Sequence, residues 1–335
     1  MNEITDKLQC TFPKKTIVIL GDLVADQFLN GTIARVSREA PVFILRHDNT
    51  QTVPGAAANA AVNVASLGGK PVLAGFTGRD SNGGLLLKSL KDFGVNTEYV
   101  IADGALSTTT KVRVLAGQHY AARQQVIRID YEDSFSITDE LREKLRQNLD
   151  IVGRSADAII ISDYNYNAVF PEIYQDALAI SKERGIPLIV DSRFRLGDFP
   201  NATSATPNRE EVEHILGMDF TADDCSQLRE RLGYDSILVT NGNQGMLLFE
   251  KNAPPLKFDA VGSSEPVDVT GAGDTVIAAY ALGLASGLGF ADSAMVANHA
   301  GGIVVMKKGT AFAKVSELIA SLGEATGSLA SSHAK

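Results

Sequence analysis

Short apolar runs alternate with helical patterns along most of the chain. Thr16–Leu20 (TIVIL) reads as a buried strand, and so do Pro71–Phe76 (PVLAGF), Ala158–Ser162 (AIIIS), Pro187–Val190 (PLIV) and Ser236–Thr240 (SILVT). Amphipathic or Ala-rich patterns between them predict helices near 56–67, 82–93, 138–150, 170–184 and 208–216. The segments 271–287 and 290–306 read as two long, largely buried helices. Apolar strands alternating with helices predict βαβ units and a mainly parallel sheet covered on both faces.

Two regions break this rhythm. Residues 23–53 carry polar, alternating and Pro-bounded stretches with little helical period. Within 105–130, Thr108–Leu115 (TTTKVRVL) and Gln125–Asp130 (QVIRID) read as half-exposed antiparallel strands. Both regions are strand-like, so they predict a small β-sheet projecting as a lid; the alternative is an irregular edge of the main sheet. The expected fold class is an α/β sandwich with a mainly parallel central sheet and this lid. Exposed lid strands tend to pair to hide their edges, which predicts a homodimer through the lid.

Composition narrows the class. Of 335 residues 44% are hydrophobic, ample for a core. The formal charge of −9 speaks against nucleic acid and anionic membrane surfaces as partners. No apolar run approaches the roughly 18–20 residues of a membrane helix, and the N-terminus lacks the apolar stretch of a secretory signal. Only Cys10 and Cys225 are present, without metal-ligand spacing. A reduced, cytoplasmic setting is the expectation. The chain reads as one domain over 1–322, followed from 323 to 335 by a Ser-, Ala- and Gly-rich tail expected to be mobile.

The most informative segment is Asp268-Val269-Thr270-Gly271-Ala272-Gly273-Asp274, running into the apolar Thr275–Ala279. Small residues at a helix start leave backbone N–H groups open to an anion, aided by the helix dipole. An acid in the same turn would oppose an anion if binding were the only task. It makes sense if its carboxylate takes the proton of a hydroxyl that attacks a phosphate held by those N–H groups. The plain reading is a helix N-terminal acid beside a glycine turn. The segment is no dinucleotide fingerprint, because the third glycine of G-x-G-x-x-G is missing, and no G-x-x-x-x-G-K-[ST] occurs.

This segment resembles the C-terminal signature of the PfkB (ribokinase-like) carbohydrate kinases. Pro54-Gly55-Ala56-Ala57-Ala58-Asn59, leading to Asn63, Ser66-Leu67-Gly68 and Gly75, resembles their N-terminal signature. The resemblance runs from Ile17 to about Leu322. It implies a ribokinase-like three-layer sandwich using ATP and Mg²⁺, with Asp274 as base and the Gly271, Ala272 and Gly273 backbone as the anion hole. It further implies that Asn208 and Glu211, in Thr206-Pro207-Asn208-Arg209-Glu210-Glu211, organise Mg²⁺ through water. The same segment also satisfies a helix N-cap with first-turn acids. Thr240, Gly242, Asn298 and Arg193 would lie along the nucleotide. Asp268, Thr270 and Gly309 align with a monovalent-cation site of some members, but Ala313 stands where a hydroxyl is usual, which argues against K⁺ dependence. Ala56 stands where many members have a second glycine, which implies a stiffer turn.

For the acceptor, Asp22 and Asp26 follow the first strand, and carboxylates suit sugar hydroxyls; Gly55, Asn59 and Asp274 would share that pocket. Gly21-Asp22 with Asp26, Ser37-Arg38-Glu39-Ala40-Pro41, Thr110–Val114 and Ile127–Asp130 are similar to the D-glycero-D-manno-heptose-7-phosphate kinase branch, the kinase domain of bifunctional ADP-heptose synthesis proteins. That resemblance implies O1 of a phosphorylated sugar as acceptor. Arg35, Arg38, Lys111, Arg113, Arg123 and Arg128 would supply cations, although charges are also common on a one-sided sheet. Two elements depart from the branch. Ser162-Asp163-Tyr164-Asn165-Tyr166-Asn167 lacks the lysine of a D-Y-x-K-G element, and Asp191-Ser192-Arg193 replaces D-P-K. No H-x-G-H sequence is present, so adenylylation is expected to need another protein. A kinase of a neutral sugar or nucleoside remains the alternative. A nucleotide-binding regulator without turnover is a third, against which Asp274 in an intact turn argues.

Overall fold

The computed structural model describes residues 2–118, 123–132, 137–263 and 265–332. Its strands are β1 (Thr16–Gly21), β2 (Leu23–Val36), β3 (Phe43–Ala56), β4 (Lys70–Gly78), β5 (Asn96–Asp103), β6 (Thr110–Gly117) and β7 (Gln124–Tyr131). Then follow β8 (Ala158–Asp163), β9 (Leu188–Ser192), β10 (Ser204–Ala205), β11 (Ser236–Thr240), β12 (Met246–Glu250) and β13 (Leu256–Phe258).

The central sheet has the order β13-β12-β11-β10-β9-β8-β1-β4-β5. It is parallel from β11 to β5, with an antiparallel β12–β13 edge. β1 shows why the apolar run becomes a central strand. Ile17 and Ile19 pack into the core formed with helices Ala57–Ser66, Ala272–Ala285 and Phe290–Val304. Val18 and Leu20 pack on the opposite face, against helices Asp139–Gly153 and Pro171–Arg184. Strand side chains alternate in direction, so a run apolar at every position needs cover on both faces. The expected three layers are present, and the C-terminal ends of β1, β8, β9, β10 and β11 open on one crevice, where such sheets place ligands.

The lid is a separate sheet, ordered β3-β2-β6-β7. β2–β3 and β6–β7 are antiparallel, but β2 and β6 run parallel, a non-local pairing that local pattern does not reveal. β7 is exposed on both faces rather than one, and leaves Val126, Ile127, Ile129 and Tyr131 bare. The opposite side of the lid exposes Val36, Val42 and Phe43.

The helix Val315–Ser332 runs into the segment read from 323 onward as a tail. Leu318 and Leu322 are buried and anchor that helix, and no proline follows to stop it. Residues 333–335 lie outside the described part. No helix among the described residues is long and apolar enough to cross a membrane.

Candidate active site

The glycine-rich turn opens the Ala272–Ala285 helix, with Gly271 as N-cap at φ 77°. A side chain there would be strained and would also bring its Cβ to 2.5 Å from Asn59 Nδ2. The first helical N–H groups have no partner within the helix; that of Ala272 donates to the Val269 carbonyl at 3.2 Å, which leaves the next, that of Gly273, turned to the anion site. A Cβ at Gly273 would meet nothing within 4 Å, so this backbone is bare on one side.

Asp274 sits in the first turn of the same helix and is only 4% exposed. Its Oδ2 accepts from Asn59 Nδ2 at 2.6 Å, and its Oδ1 accepts from the Tyr164 hydroxyl at 3.0 Å. Burial pushes its pKa up to about 7; the two donors oppose the rise and the charge of Asp26 adds to it. Asn59 is delivered by the helix that follows β3. The joint is Ala56, with φ 54° and ψ −132°, a conformation that favours glycine. Thus the position where the resemblance implied a second glycine has a glycine-like backbone under an alanine. Gly55 has a different reason. A Cβ there would lie 2.5 Å from Asp26 Oδ2.

A polar cavity opens beside Asp274. Asp26, Asn59, Lys111, Arg113, Arg128 and Tyr164 line it, with Arg193, Thr270, Gly271 and Thr310. Arg113 pairs with Asp26. Lys111 Nζ lies 3.0 Å from Glu132 Oε1 and 2.8 Å from the Tyr166 hydroxyl, and Arg128 lies 2.9 Å from Asp130. Arg193, expected along the nucleotide, lines this cavity; its charge acts on Asp191 and Glu211 without a close ion pair among the described residues. Two expected acceptor residues are elsewhere. Arg38 is exposed in the turn between β2 and β3 and does not line the cavity. Asp22 is buried behind the loop after β8, where its carboxylate accepts the backbone N–H groups of Tyr164 (2.7 Å), Tyr166 (3.1 Å) and Ala168 (2.9 Å). Burial raises Asp22 to about 6 despite these donors. It shapes the loop that carries Tyr164 and does not line the cavity beside Asp274.

A second, mostly apolar cavity lies on the other side of the turn. Thr240, Gly242, Met246, Val261, Val276 and Asn298 line it, together with Ala272 and Gly273. Small residues make it a slot. A Cβ at Gly302, also in its wall, would lie 2.5 Å from the Val261 carbonyl oxygen. Asn298 Nδ2 donates to the Asp259 carbonyl at 2.8 Å and so holds the loop that forms one rim. The width and apolar lining fit a nucleobase, and the bare N–H groups at the inner end fit its phosphates.

Asn208 and Glu211 form a reciprocal capping box, N–H to side chain at 2.9 and 2.8 Å, so the plain helix-cap reading holds. Glu211 nevertheless has a second aspect. Burial raises it to about 7 against the Asn208 N–H and Arg193, and burial together with the Glu211 charge raises Asp191 well above the usual carboxylate range. Carboxyls that resist ionisation together are the donor set a divalent cation would suit. Among the described residues no three His, Cys, Asp or Glu side chains converge as direct metal ligands. At the third site, Asp268 accepts the N–H groups of Thr270 at 2.9 Å and Gly309 at 3.0 Å. Burial opposes its ionisation, but these donors prevail and lower its pKa. Ala313, four positions after Gly309, is fully buried and offers no side-chain oxygen.

Tyr164 and Asp191 were not assigned a role from sequence. Both directly follow or end buried strands that open on the crevice, which is the feature that would have found them.

A nucleotide-sized slot and a cation-lined polar cavity, separated by a helix N-terminus with an acid in its first turn, define a phosphotransferase-type site. The family model described as pfkB family carbohydrate kinase matches residues 14–317, and the chain belongs to that family. It is an ATP-dependent carbohydrate kinase. It is 37% identical to the "Bifunctional protein HldE" of Caulobacter vibrioides over 98% of this chain and 67% of that protein. It is 36% identical to that of Shewanella baltica over 93% of this chain and 64% of that protein. The chain thus spans about two thirds of the length of these relatives. The fold matches Arabidopsis thaliana ribokinase, solved with ribose and ATP, at TM-score 0.69 and 22% identity, covering 92% of this chain and 98% of that one. It matches Escherichia coli phosphofructokinase-2, solved with substrates and products, at TM-score 0.71 and 18% identity, covering 91% and 97%.

Proposed function

We propose that this kinase transfers the γ-phosphoryl group of ATP to O1 of D-glycero-D-manno-heptose 7-phosphate, with Asp274 as general base. One observation carries the reading. The 270–274 turn is the shared wall of both cavities: Ala272 and Gly273 face the apolar slot, while Thr270, Gly271 and Asp274 face the polar one. An acceptor hydroxyl beside Asp274 therefore lies across a thin partition from a phosphate at the helix N-terminus.

In this mechanism Asp274 takes the hydroxyl proton as the new O–P bond forms. The Gly273 N–H group stabilises charge on the transferring phosphoryl group, with that of Ala272 shared with the Val269 carbonyl. Mg²⁺, when bound, neutralises phosphate charge; Asn208 and Glu211, with Asp191 beside them, are the residues that would hold its water shell. Asp26 and Asn59 bind acceptor hydroxyls. Lys111, Arg113, Arg128 and Arg193 hold the acceptor phosphate, which gives the lid cations a task. The bifunctional relatives support this acceptor.

A neutral sugar is the second reading. It draws on the internal pairing of Arg113, Lys111 and Arg128 with carboxylates, which leaves Arg193 as the cation lacking such a partner among the described residues. A coupled ADP-release assay over sugars and sugar phosphates decides. The proposal expects the highest kcat/KM with heptose 7-phosphate; preference for ribose, fructose or adenosine over every phosphosugar would sink it. A homodimer through the lid completes the proposal, supported by the bare apolar side chains of β7 and the β2–β3 turn.

A further inference from the structure

The two glycine-containing segments are joined inside the protein by side chains the mechanism has not yet used. Thr275 Oγ1 lies 2.8 Å from Asn63 Oδ1. Asn63 Nδ2 lies 3.0 Å from the Asn59 carbonyl oxygen and 3.3 Å from Asn59 Oδ1. Asn59 Nδ2 reaches Asp274 Oδ2. Thr275 and Asn63 are fully buried, and Asn59 is 3% exposed, so water does not substitute for any of these partners.

The chemistry of the groups gives this chain a direction. A backbone carbonyl only accepts, so the Asn63 atom facing the Asn59 carbonyl is the amide nitrogen. Asn63 Oδ1 then faces Thr275, whose hydroxyl donates to it. The Asn63 amide nitrogen also faces Asn59 Oδ1, which turns the Asn59 amide nitrogen toward Asp274. An amide N–H supports a carboxylate; the reversed amide would set a carbonyl oxygen against it and favour the protonated acid.

We propose that Thr275 and Asn63 are positioning residues for phosphoryl transfer: they lock Asn59 in the amide orientation that keeps Asp274 ready to accept a proton. This rests on the reading of Asp274 as the base. The other groups facing Asp274 are the Tyr164 hydroxyl, the Asp26 carboxylate from β2 and Asp191 at the end of β9. Lys111, Arg113, Arg128 and Arg193 face it across the cavity. None of them hydrogen-bonds the Asn59 amide; Thr275 Oγ1 also lies 3.2 Å from the Gly271 carbonyl oxygen, so Asn63→Ala is the variant that reaches the base through Asn59 alone.

The test is an infrared titration of the free enzyme, with the Asp274 carboxyl band assigned as the one lost in Asp274→Asn. Thr275→Val and Asn63→Ala are expected to raise the protonation midpoint by about 0.5–1 pH unit, the size of one weakened hydrogen bond to the charged form. Thr275→Ser keeps the hydroxyl and is expected to restore the original midpoint. With heptose 7-phosphate, the acid limb of kcat/KM moves by the same amount and the loss shrinks above pH 8, while KM for ATP holds. Thr275→Ala carries the same test if the valine variant does not fold. Midpoints unchanged in both relay variants overturn the relay and leave the base reading standing. Full turnover by Asp274→Asn overturns the base reading, and the relay's part in transfer falls with it.

Discussion

Asn59 and Asp274 stand 215 positions apart in the chain and meet across 2.6 Å, amide nitrogen to carboxylate oxygen. The contact depends on the charge of the acid. Asp274→Asn would keep the Tyr164 hydroxyl bond but set two amides against each other, and it removes the proton acceptor. We expect kcat to fall at least about a hundredfold, the lower end for a lost general base. ATP binding should stay within a few-fold, because the backbone N–H groups at 272 and 273 remain. Single-turnover rates and a nucleotide titration separate the two effects. Turnover within a few-fold of the parent would place the base elsewhere.

The burial of Asp274 also sets a pH dependence. The base must be ionised to work, and burial lifts its pKa to about 7. Activity should therefore rise through neutrality and fall about tenfold per unit in the acid direction. The stability effect has the opposite sense. A carboxyl whose folded pKa lies above its unfolded value of 3.8 favours the folded state while protonated, and loses that advantage as pH rises toward 7. Asp274→Asn should thus stabilise the protein more at pH 8 than at pH 5, by roughly 1–3 kcal/mol. Thermal melts at the two pH values check this; an equal shift at both would refute it.

Ala56 offers a test of backbone strain. Its φ of 54° with ψ of −132° costs an alanine about 1–3 kcal/mol, of which glycine would recover part against its larger unfolded-state entropy. Ala56→Gly should raise the unfolding free energy by about 0.5–2 kcal/mol. A denaturant midpoint below that of the parent would show that packing of the Ala56 methyl outweighs the strain.

The cavity cations can now be ranked. Arg193→Ala removes a cavity cation that has no ion pair among the described residues, so it should raise KM for a phosphosugar about ten- to a hundredfold, the worth of one charge-assisted hydrogen bond. Weak turnover of the unphosphorylated sugar should be spared. Arg38→Ala should change neither constant by more than about twofold, since an exposed side chain off the cavity has little to lose. If Arg38→Ala is the damaging change, the end of the lid acts beyond its own protomer.

The lid makes a solution prediction. Ile127 is 54% exposed on a strand bare on both faces, and glutamate there should weaken pairing through the lid. Sedimentation should show the parent as a dimer and Ile127→Glu shifted toward monomer. A parent that stays monomeric at high concentration would remove the proposed interface.

Much of this architecture was legible because β1, β8 and β11 are apolar at consecutive positions, and only a strand covered on both sides tolerates that. The turn at 271–274 was legible for a similar reason, since few tasks require glycines and an acid together at a helix start. β5 and the β12–β13 hairpin were not. Asn96–Asp103 mixes polar and apolar positions as an edge strand does, and Leu256–Phe258 is too short to show a period. Asp22 shows the limit for sites. A carboxylate binding sugar hydroxyls and one binding three backbone N–H groups are the same residue in a sequence. Tyr164 was hidden because its partner lies 110 positions away.

Asp22 holds the loop after β8 by its backbone, through N–H groups at 164, 166 and 168. Asn165 and Asn167 take the left-handed turns of that loop at φ 64° and 71°. Its shape therefore owes little to the side chains at 164 and 166, both of which point to ligand-facing groups, Asp274 and Lys111. Under the proposed phosphosugar reading, exchange at 166 would change the hold on Lys111 while Asp22 keeps the backbone of the loop in place.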